Sequence, residues 1–244
     1  MDDDIIRFIL GVIGNITSMV MFLSPMATFW RICKRKSTGS FSAIPYVCTL
    51  LNCLLWLFYG LPMITSHNVL VVSINGAGSA LESIYLIIYL VFAPKKKKAV
   101  IFLLVSGILA FCVTIVAVTI AEFPRHDRAI FVGSVCVVIG TLMYASPLLV
   151  MRLVITTRSV EYMPFLLSIC SFFNAILWTS YGALKKDKFI IIPNGLGCLL
   201  GAAQLGLYAN YHNGMASQGR PSESNDLDVT AQNNDKTKQR SPGC

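Results

Sequence analysis

The chain contains few charged residues, and acidic ones are the scarcest. Of its 244 residues 13% are charged, with 12 Asp and Glu against 20 Lys and Arg, whereas 55% are hydrophobic. Soluble domains carry about 25% charged residues. This deficit excludes an ordinary soluble domain and indicates an integral membrane protein.

The sequence also lacks the residue groupings that bind metals or catalyse reactions. Its eight cysteines form no C-x-x-C pair, and its three histidines, at positions 67, 126 and 212, lie far apart. We therefore expect no disulfide framework, no metal site and no cofactor. No Ser, His and Asp combination falls within an apolar stretch, so the protein is not expected to be an enzyme.

A nucleic-acid partner is not expected, although the net charge is +8. The basic residues occur in short clusters that flank apolar stretches, and no aromatic surface on which bases could stack accompanies them. Such clusters meet the headgroups of a lipid bilayer.

Seven apolar stretches approach or exceed the roughly 20 residues that cross a bilayer. They run over residues 6–29, 42–60, 69–92, 99–121, 129–151, 161–184 and 189–211. Residues 212–244 are rich in Ser, Asn, Asp, Gln and Lys and poor in large apolar side chains, which predicts a disordered tail. The predicted fold class is an all-α membrane protein with seven transmembrane helices.

One unit occurs twice, about 122 residues apart. Ser24-Pro25 recurs as Ser146-Pro147, Tyr59-Gly60 as Tyr181-Gly182, and Asn75-Gly76 as Asn194-Gly195. The two copies cover residues 5–93 and 129–211, with a spare apolar segment at 99–121 between them. Repeated helical units that face each other across a membrane are typical of transporters.

Lys and Arg are distributed unevenly between the two ends of the predicted helices. One end carries the clusters at 31–36, 95–98 and 152–158 and the basic residues of the tail. The positive-inside tendency then predicts an extracellular or lumenal amino terminus and a cytosolic tail, although the basic loop at 185–188 runs against it. We expect the plasma membrane, with a vacuolar or other internal membrane as the alternative.

Four prolines lie toward the cytosolic ends of four predicted helices, in pairs matched across the repeat. They are Pro25, Pro45, Pro147 and Pro164. Proline removes a backbone donor and crowds the preceding turn, so it kinks a helix. Transmembrane helices tolerate proline in general, but the pairing favours hinges of an inner gate.

Matched amides and aromatic residues predict a binding site for a polyhydroxylated solute. The matched pairs are Asn75 and Asn194, Asn52 and Asn174, Met21 and Met143, and Trp56 and Trp178. An amide in hydrocarbon must be hydrogen-bonded, because leaving it unpaired costs several kcal/mol. Indole faces against the C–H surface of a sugar, with amides on its hydroxyls, are typical of neutral carbohydrate sites. The alternative is helix packing for the methionines and interfacial anchoring for the tryptophans.

The one carboxylate well inside a predicted span is Glu82. An ionisable group at membrane depth is either a structural hydrogen-bonding group or a proton site. Because a proton-coupled porter would carry more such groups, we favour a structural role and facilitated diffusion.

The chain resembles the SWEET sugar transporters, also called the saliva-domain family. The resemblance spans residues 5–211 and includes the basic stretch 31–46, Tyr-Ala-Ser-Pro-Leu at 144–148, Ser-Val-Glu-Tyr-Met-Pro-Phe at 159–165 and Ile-Pro-Asn-Gly-Leu-Gly at 192–197. It implies two parallel three-helix bundles joined by a linker helix at 99–121, a 3+1+3 arrangement. It also implies energy-independent movement of sugars down their gradient, and a homo-oligomer with a pore in each copy.

The resemblance also implies roles for particular residues. The proline tetrad is carried onto Pro25, Pro45, Pro147 and Pro164, and the substrate pocket onto Asn75, Asn194, Trp178 and the position of Trp56. Residues that match the outer gate or its helix bends are Tyr59, Gly60, Gly133, Gly182, Asp187 and Pro193, and Tyr181 is the repeat counterpart of Tyr59.

Substrate size is expected to follow from the positions that match the selectivity filter of the family. These are Met21, Asn52, Met143 and Asn174, all larger than the Val and Ser that disaccharide-selective members tend to carry. A narrow waist favours a monosaccharide, and the basic loop is similar to that of the plant subgroup that moves hexoses. We therefore expect glucose or a related hexose. A sucrose-selective transporter and a seven-helix sorting or sensing receptor are the alternatives.

Overall fold

The computed structural model describes residues 3–160, 163 and 165–218, without the side chains of 212–218. All regular structure in this part of the chain is helical, in nine segments. In chain order they are α1 (Asp3–Leu23), α2 (Met26–Arg35), α3 (Ile44–Gly60), α4 (Val69–Phe92), α5 (Lys95–Glu122), α6 (Arg128–Leu142), α7 (Ala145–Thr157), α8 (Phe165–Lys185) and α9 (Lys188–Gln218).

The helices provide seven crossings of a bilayer. Six helical stretches are long and apolar enough to span a membrane; α1 with α2 forms one of them, and α6 with α7 another. The seventh, α3, is apolar but has 17 residues. At 1.5 Å per residue it is about 26 Å long, close to the roughly 30 Å of a bilayer core. The prediction of seven transmembrane helices is confirmed.

The seven spans form two three-helix bundles and a separate linker. In the first bundle α1, α2 and α3 pack against α4, and in the second α6, α7 and α8 pack against α9. The linker α5 contacts α3 and α6, and the two bundles meet where α1 packs on α8 and α3 on α6. The predicted 3+1+3 arrangement is confirmed.

The first span of each bundle is broken near its proline. Pro25 lies in the gap between α1 and α2, and Pro147 is the third residue of α7. Proline cannot donate to the carbonyl four residues earlier, and its ring crowds that carbonyl, which belongs to Met21 in one copy and Met143 in the other. At the first break the backbone N–H and the hydroxyl of Ser24 donate to the Met21 carbonyl instead, at 3.2 and 2.8 Å.

The other two prolines of the predicted tetrad differ from this pattern. Pro45 is the second residue of α3, a position where a proline interrupts no intrahelical hydrogen bond, so the expected kink at Pro45 is absent. Pro164 lies outside the described residues. The helix break thus belongs to the first span of each bundle.

Several helices extend beyond the predicted apolar stretches. The linker helix begins at Lys95 rather than at residue 99, and α9 continues to Gln218, seven residues into the segment that we predicted as a tail. An apolar stretch ends at the first polar side chains, whereas a helix can continue through polar residues such as Lys and Gln, which have high helix propensity. Residues 219–244 lie outside the described part of the chain.

Two buried clusters stabilise the molecule at different depths. One joins both bundles through Trp56 and Tyr59 of α3, Trp178 and Tyr181 of α8, and Ile190 of α9. The other lies within the first bundle and its linker, where α2, α3, α4 and α5 meet. Because the first cluster crosses between the bundles, it holds them together next to the pocket described below.

Gly133 on α6 provides a test of this packing, because a Cβ there would meet the ring of Phe189 at 2.5 Å. We expect Gly133→Ala to destabilise the protein by about 1–3 kcal/mol and to lower its melting temperature in detergent by roughly 2–12 °C. Gly107→Ala on α5 is the matched control, since no atom lies within 4 Å of its added Cβ. Equal melting temperatures for the two variants would contradict the described contact between α6 and α9.

Candidate functional site

A central pocket of about 170 Å³ lies between the two bundles. Its lining includes six of the eight predicted substrate-binding residues: Asn52, Trp56, Asn75, Asn174, Trp178 and Asn194. The remaining lining residues are Ser18, Phe22, Val71, Ile74 and Ile190. No side chain of this lining is ionisable, so the pocket offers amides, one hydroxyl and apolar surface, which suit a neutral polar solute.

Asn75 and Asn194 occupy equivalent positions on α4 and α9, and their amides are held in the same way. The Nδ2 of Asn75 donates to the Val71 carbonyl at 2.8 Å, and that of Asn194 donates to the Ile190 carbonyl at 2.9 Å. Each bond runs to the residue four positions earlier, so it fixes the side chain against its own helix. The amide oxygens remain available as acceptors.

Asn52 and Asn174 are also equivalent in sequence, but their surroundings differ. The Oδ1 of Asn174 accepts hydrogen bonds from the hydroxyls of Thr17 and Ser18 at 2.7 and 2.8 Å. The Oδ1 of Asn52 is buried and has no hydrogen-bond partner. Neither α1 hydroxyl was identified from the sequence, although a Thr-Ser pair in an apolar span was a visible signal.

The two tryptophans are buried and repeat the same aromatic arrangement. Trp56 lies edge-on to Tyr59 and Trp178 edge-on to Tyr181, with ring centroids 5.4 and 5.3 Å apart. The Trp178 indole N–H donates to the hydroxyl of Ser18 at 3.2 Å. Both side chains line the pocket, so the interfacial alternative for the tryptophans does not describe their positions.

The two methionines of the predicted site lie outside the central pocket. Met21 lines a second cavity of about 360 Å³, which shares Asn174 and Asn194 with the central one and also contacts Pro147. Met143 is at the break between α6 and α7 and lines neither of these two cavities. The second cavity extends the pocket toward the ends of α7 and α9 that lie away from Asp187.

The opposite side of the pocket is closed by a hydrogen bond between the bundles. The hydroxyl of Tyr59, near the end of α3, donates to both carboxylate oxygens of Asp187 at 2.8 and 2.9 Å. The same carboxylate accepts the backbone N–H groups of Phe189 and Ile190 at 3.1 and 3.4 Å, and so caps α9. These contacts bring Tyr59 and Asp187 of the predicted outer gate together.

A second contact between the bundles is the repeat counterpart of the first. Asn68 precedes α4 as Asp187 precedes α9, and its Oδ1 accepts from the hydroxyl of Tyr181 at 3.4 Å. The Lys185 ammonium donates to the same oxygen and to the Ser66 carbonyl at 3.0 Å. Asn68 and Lys185 carried no predicted role, although Lys185 belongs to the basic loop at 185–188 that opposes the positive-inside tendency.

The predicted gate glycines permit close helix approach on this side. A Cβ on Gly60 would lie 2.8 Å from Val72, and one on Gly182 would lie 3.0 Å from Ile190, in matching places of the two bundles. Pro193 lies deeper, inside α9, where its carbonyl accepts from the hydroxyl of Tyr144 at 2.6 Å. It therefore lies within the helix and not among the closing contacts.

Glu82 is buried in α4 and does not line the pocket. Its Oε2 has no hydrogen-bond partner. We favoured a structural hydrogen bond for Glu82, but the described residues provide no partner for this oxygen.

Comparison with known proteins places the chain in a family. The family model described as a sugar efflux transporter for intercellular exchange matches residues 8–97 and 130–216. The chain is 48% identical over 210 residues to the bidirectional sugar transporter SWEET7b of Oryza sativa subsp. japonica, which covers 86% of this chain and 79% of that protein. It is 47% identical over 210 residues to the bidirectional sugar transporter SWEET4 of Oryza sativa subsp. indica, covering 86% and 81%.

A solved structure of a eukaryotic SWEET transporter has the same fold. It matches with a TM-score of 0.84 and 40% sequence identity, over 86% of this chain and 99% of that one. The chain therefore belongs to the SWEET family of sugar transporters, whose function is transport rather than catalysis.

Proposed function

We propose that this protein is a uniporter that moves monosaccharides, glucose first among them, down their gradient in either direction. The observation that carries the proposal is the central pocket, in which four amides and two indoles surround a small uncharged space. The names of the similar rice proteins, both bidirectional sugar transporters, support it.

The size of the pocket favours a monosaccharide. Pockets for drug-sized ligands measure about 300–1,000 Å³, whereas the central pocket measures about 170 Å³. Asn52 and Asn174 take part in this limit, because both side chains reach the pocket from opposite bundles. A disaccharide would need a wider space at this depth.

The proposed transport without proton coupling is supported by the lack of ionisable groups at the pocket. Its lining contains no acid, base or histidine, so binding a sugar there changes no protonation state. Glu82 lies elsewhere in α4. The proposed driving force is therefore the sugar gradient alone.

We propose that the structure represents a state closed at Tyr59 and Asp187, in which the second cavity is the path from the pocket to the other side. Alternating access would require these bonds to break while the opposite ends of the bundles approach. We propose Pro25 and Pro147 as the hinges, since they stand at the two helix breaks, with Pro45 and Pro164 completing the inner gate. Met21 and Met143 flank the same breaks and would narrow the path there.

The proposed orientation in the membrane rests on the distribution of charge. We propose that the Tyr59 side faces outward, at the plasma membrane or an internal membrane, because the ten Lys and Arg residues at 31–36, 95–98, 152 and 158 lie at the other end. The lysine at 185, which would oppose this orientation, has a hydrogen-bonding role between the bundles. We also propose a homo-oligomer with one pore in each copy.

Uptake into proteoliposomes tests the proposal directly. Purified protein is expected to equilibrate labelled glucose faster than sucrose, and equally fast with and without a pH gradient. Asn75→Ala with Asn194→Ala should reduce glucose uptake at least about tenfold, because two acceptors for sugar hydroxyls are lost. No flux of either sugar would overturn the proposal, and a flux that follows the pH gradient would overturn the uniport mechanism.

The two amides that limit the pocket give a second test. Replacing both Asn52 and Asn174 with Ser shortens each side chain and should extend transport toward sucrose. The measurement is the ratio of sucrose to glucose uptake in the double variant against the unmodified protein. An unchanged ratio would contradict the assignment of these residues to substrate size.

The closing contact is tested by removing one hydroxyl. Tyr59→Phe deletes both bonds to Asp187 and should favour the outward-open state by roughly threefold to tenfold. Spin labels at the exposed positions Met63 and Lys186 should then report longer distances. The matched control is Tyr85→Phe, because that hydroxyl bonds the Phe22 carbonyl within one bundle. Equal distances in the two variants would contradict the gating role.

A further inference from the structure

The two halves of the central pocket differ in the hydroxyls that they carry at matched positions. The spacing of 122 residues that relates Asn52 to Asn174 also relates Ser18 to Gly140 and Thr17 to Ile139. One copy therefore carries two hydroxyls where the other carries none. Since Asn52 and Asn174 lie close to these positions, the difference changes what each amide can bind.

On the α8 wall the polar groups are already paired with α1. The hydroxyls of Thr17 and Ser18 both donate to Asn174 Oδ1, and Ser18 accepts the indole N–H of Trp178. Amide orientation does not alter this pairing, because a rotated Asn174 would donate to the same two hydroxyls. A sugar hydroxyl would have to compete with bonds that are already made.

On the α3 wall the equivalent groups are unpaired. Asn52 Oδ1 is buried without a partner, and in the described residues no protein acceptor lies at the indole N–H of Trp56. Gly140 stands beside this amide, since an added Cβ would lie 3.8 Å from Asn52 Oδ1. A buried acceptor with no partner is unfavourable until something donates to it.

We propose that Ser18 and Gly140 make the pocket one-sided, so that the hydroxyls of the sugar bond to Asn52 and Trp56 while the α8 wall offers mainly the face of Trp178. This inference rests on the proposed function and adds that the α3 wall, rather than the α8 wall, forms the hydrogen bonds to the sugar hydroxyls. Gly140 determines specificity because it offers Asn52 no hydroxyl, and Ser18 does so because its hydroxyl occupies Asn174. The two amides, equivalent in sequence, then contribute unequally to binding.

Gly140→Ser with Gly140→Ala as control tests the proposal. The space allows both, because a Cβ there makes only ordinary contacts, 3.6 Å to Pro193 and 3.8 Å to Asn52. The serine places a hydroxyl beside Asn52, as Ser18 lies beside Asn174, and should raise the Kd for glucose by roughly threefold to tenfold over the alanine variant. Binding to detergent-purified protein is measured by calorimetry, with melting temperatures to check folding.

Deoxyglucose analogues separate hydrogen bonding from crowding. For the analogue that lacks the hydroxyl bonded to Asn52, the serine and alanine variants should bind equally, whereas for glucose they should differ. A purely structural effect of the serine would weaken every analogue alike, and that result would overturn the proposal.

A second pair of variants keeps the test independent of Gly140. Asn52→Ser should weaken glucose binding several-fold more than Asn174→Ser does, although the pocket has pseudo-twofold symmetry. Equal losses, or equal Kd values for the two Gly140 variants, would overturn the one-sided pocket while leaving the proposed function standing. Absence of monosaccharide binding by the unmodified protein would overturn the proposed function itself, and the one-sided pocket with it.

Discussion

The organisation of the pocket depends on one constraint, that a polar side chain at membrane depth must find a hydrogen-bond partner. The Nδ2 groups of Asn75 and Asn194 donate to a carbonyl of their own helix. The amide oxygen of Asn174 accepts from hydroxyls of α1. The residues that carry the remaining acceptors line the pocket. Under the proposed function, the hydrogen-bonding groups that this internal pairing leaves unused would bind the hydroxyls of the sugar.

The closed side obeys the same constraint with different groups in the two copies. Where one copy uses Asp187 to accept from Tyr59, the other uses the neutral Asn68, which accepts from Tyr181 and from the Lys185 ammonium. The Asp187 carboxylate also caps α9, so the positive end of the helix dipole stabilises its negative charge. Duplication therefore provides two closing contacts of similar geometry but different chemistry.

The sequence predicted most of the fold because each of its signals was long or repeated. Apolar stretches predicted seven spans, with 69–92 matching α4, and matched residues predicted the amides and tryptophans that meet in the pocket. Local rules predicted less well, since a proline such as Pro45 has no effect at a helix start. Ser18 and Lys185 were missed because they act through long-range contacts between the copies. Gly140 was missed because matching the copies picks out identical residues rather than the differences between them.

Those differences bear on how the bundles can move. At pocket depth the contact between α1 and α8 is held by Thr17 and Ser18 on Asn174, whereas within the described residues no hydrogen bond joins α3 to α6. The contact between α3 and α6 can therefore separate without breaking a polar bond there, and Asn52 and Gly140 lie on it. A sugar bonded to Asn52 would supply the polar contact which that side lacks. Under the proposal the solute would complete the bundle contact that has no hydrogen bond of its own, which would link its binding to the relative position of the bundles.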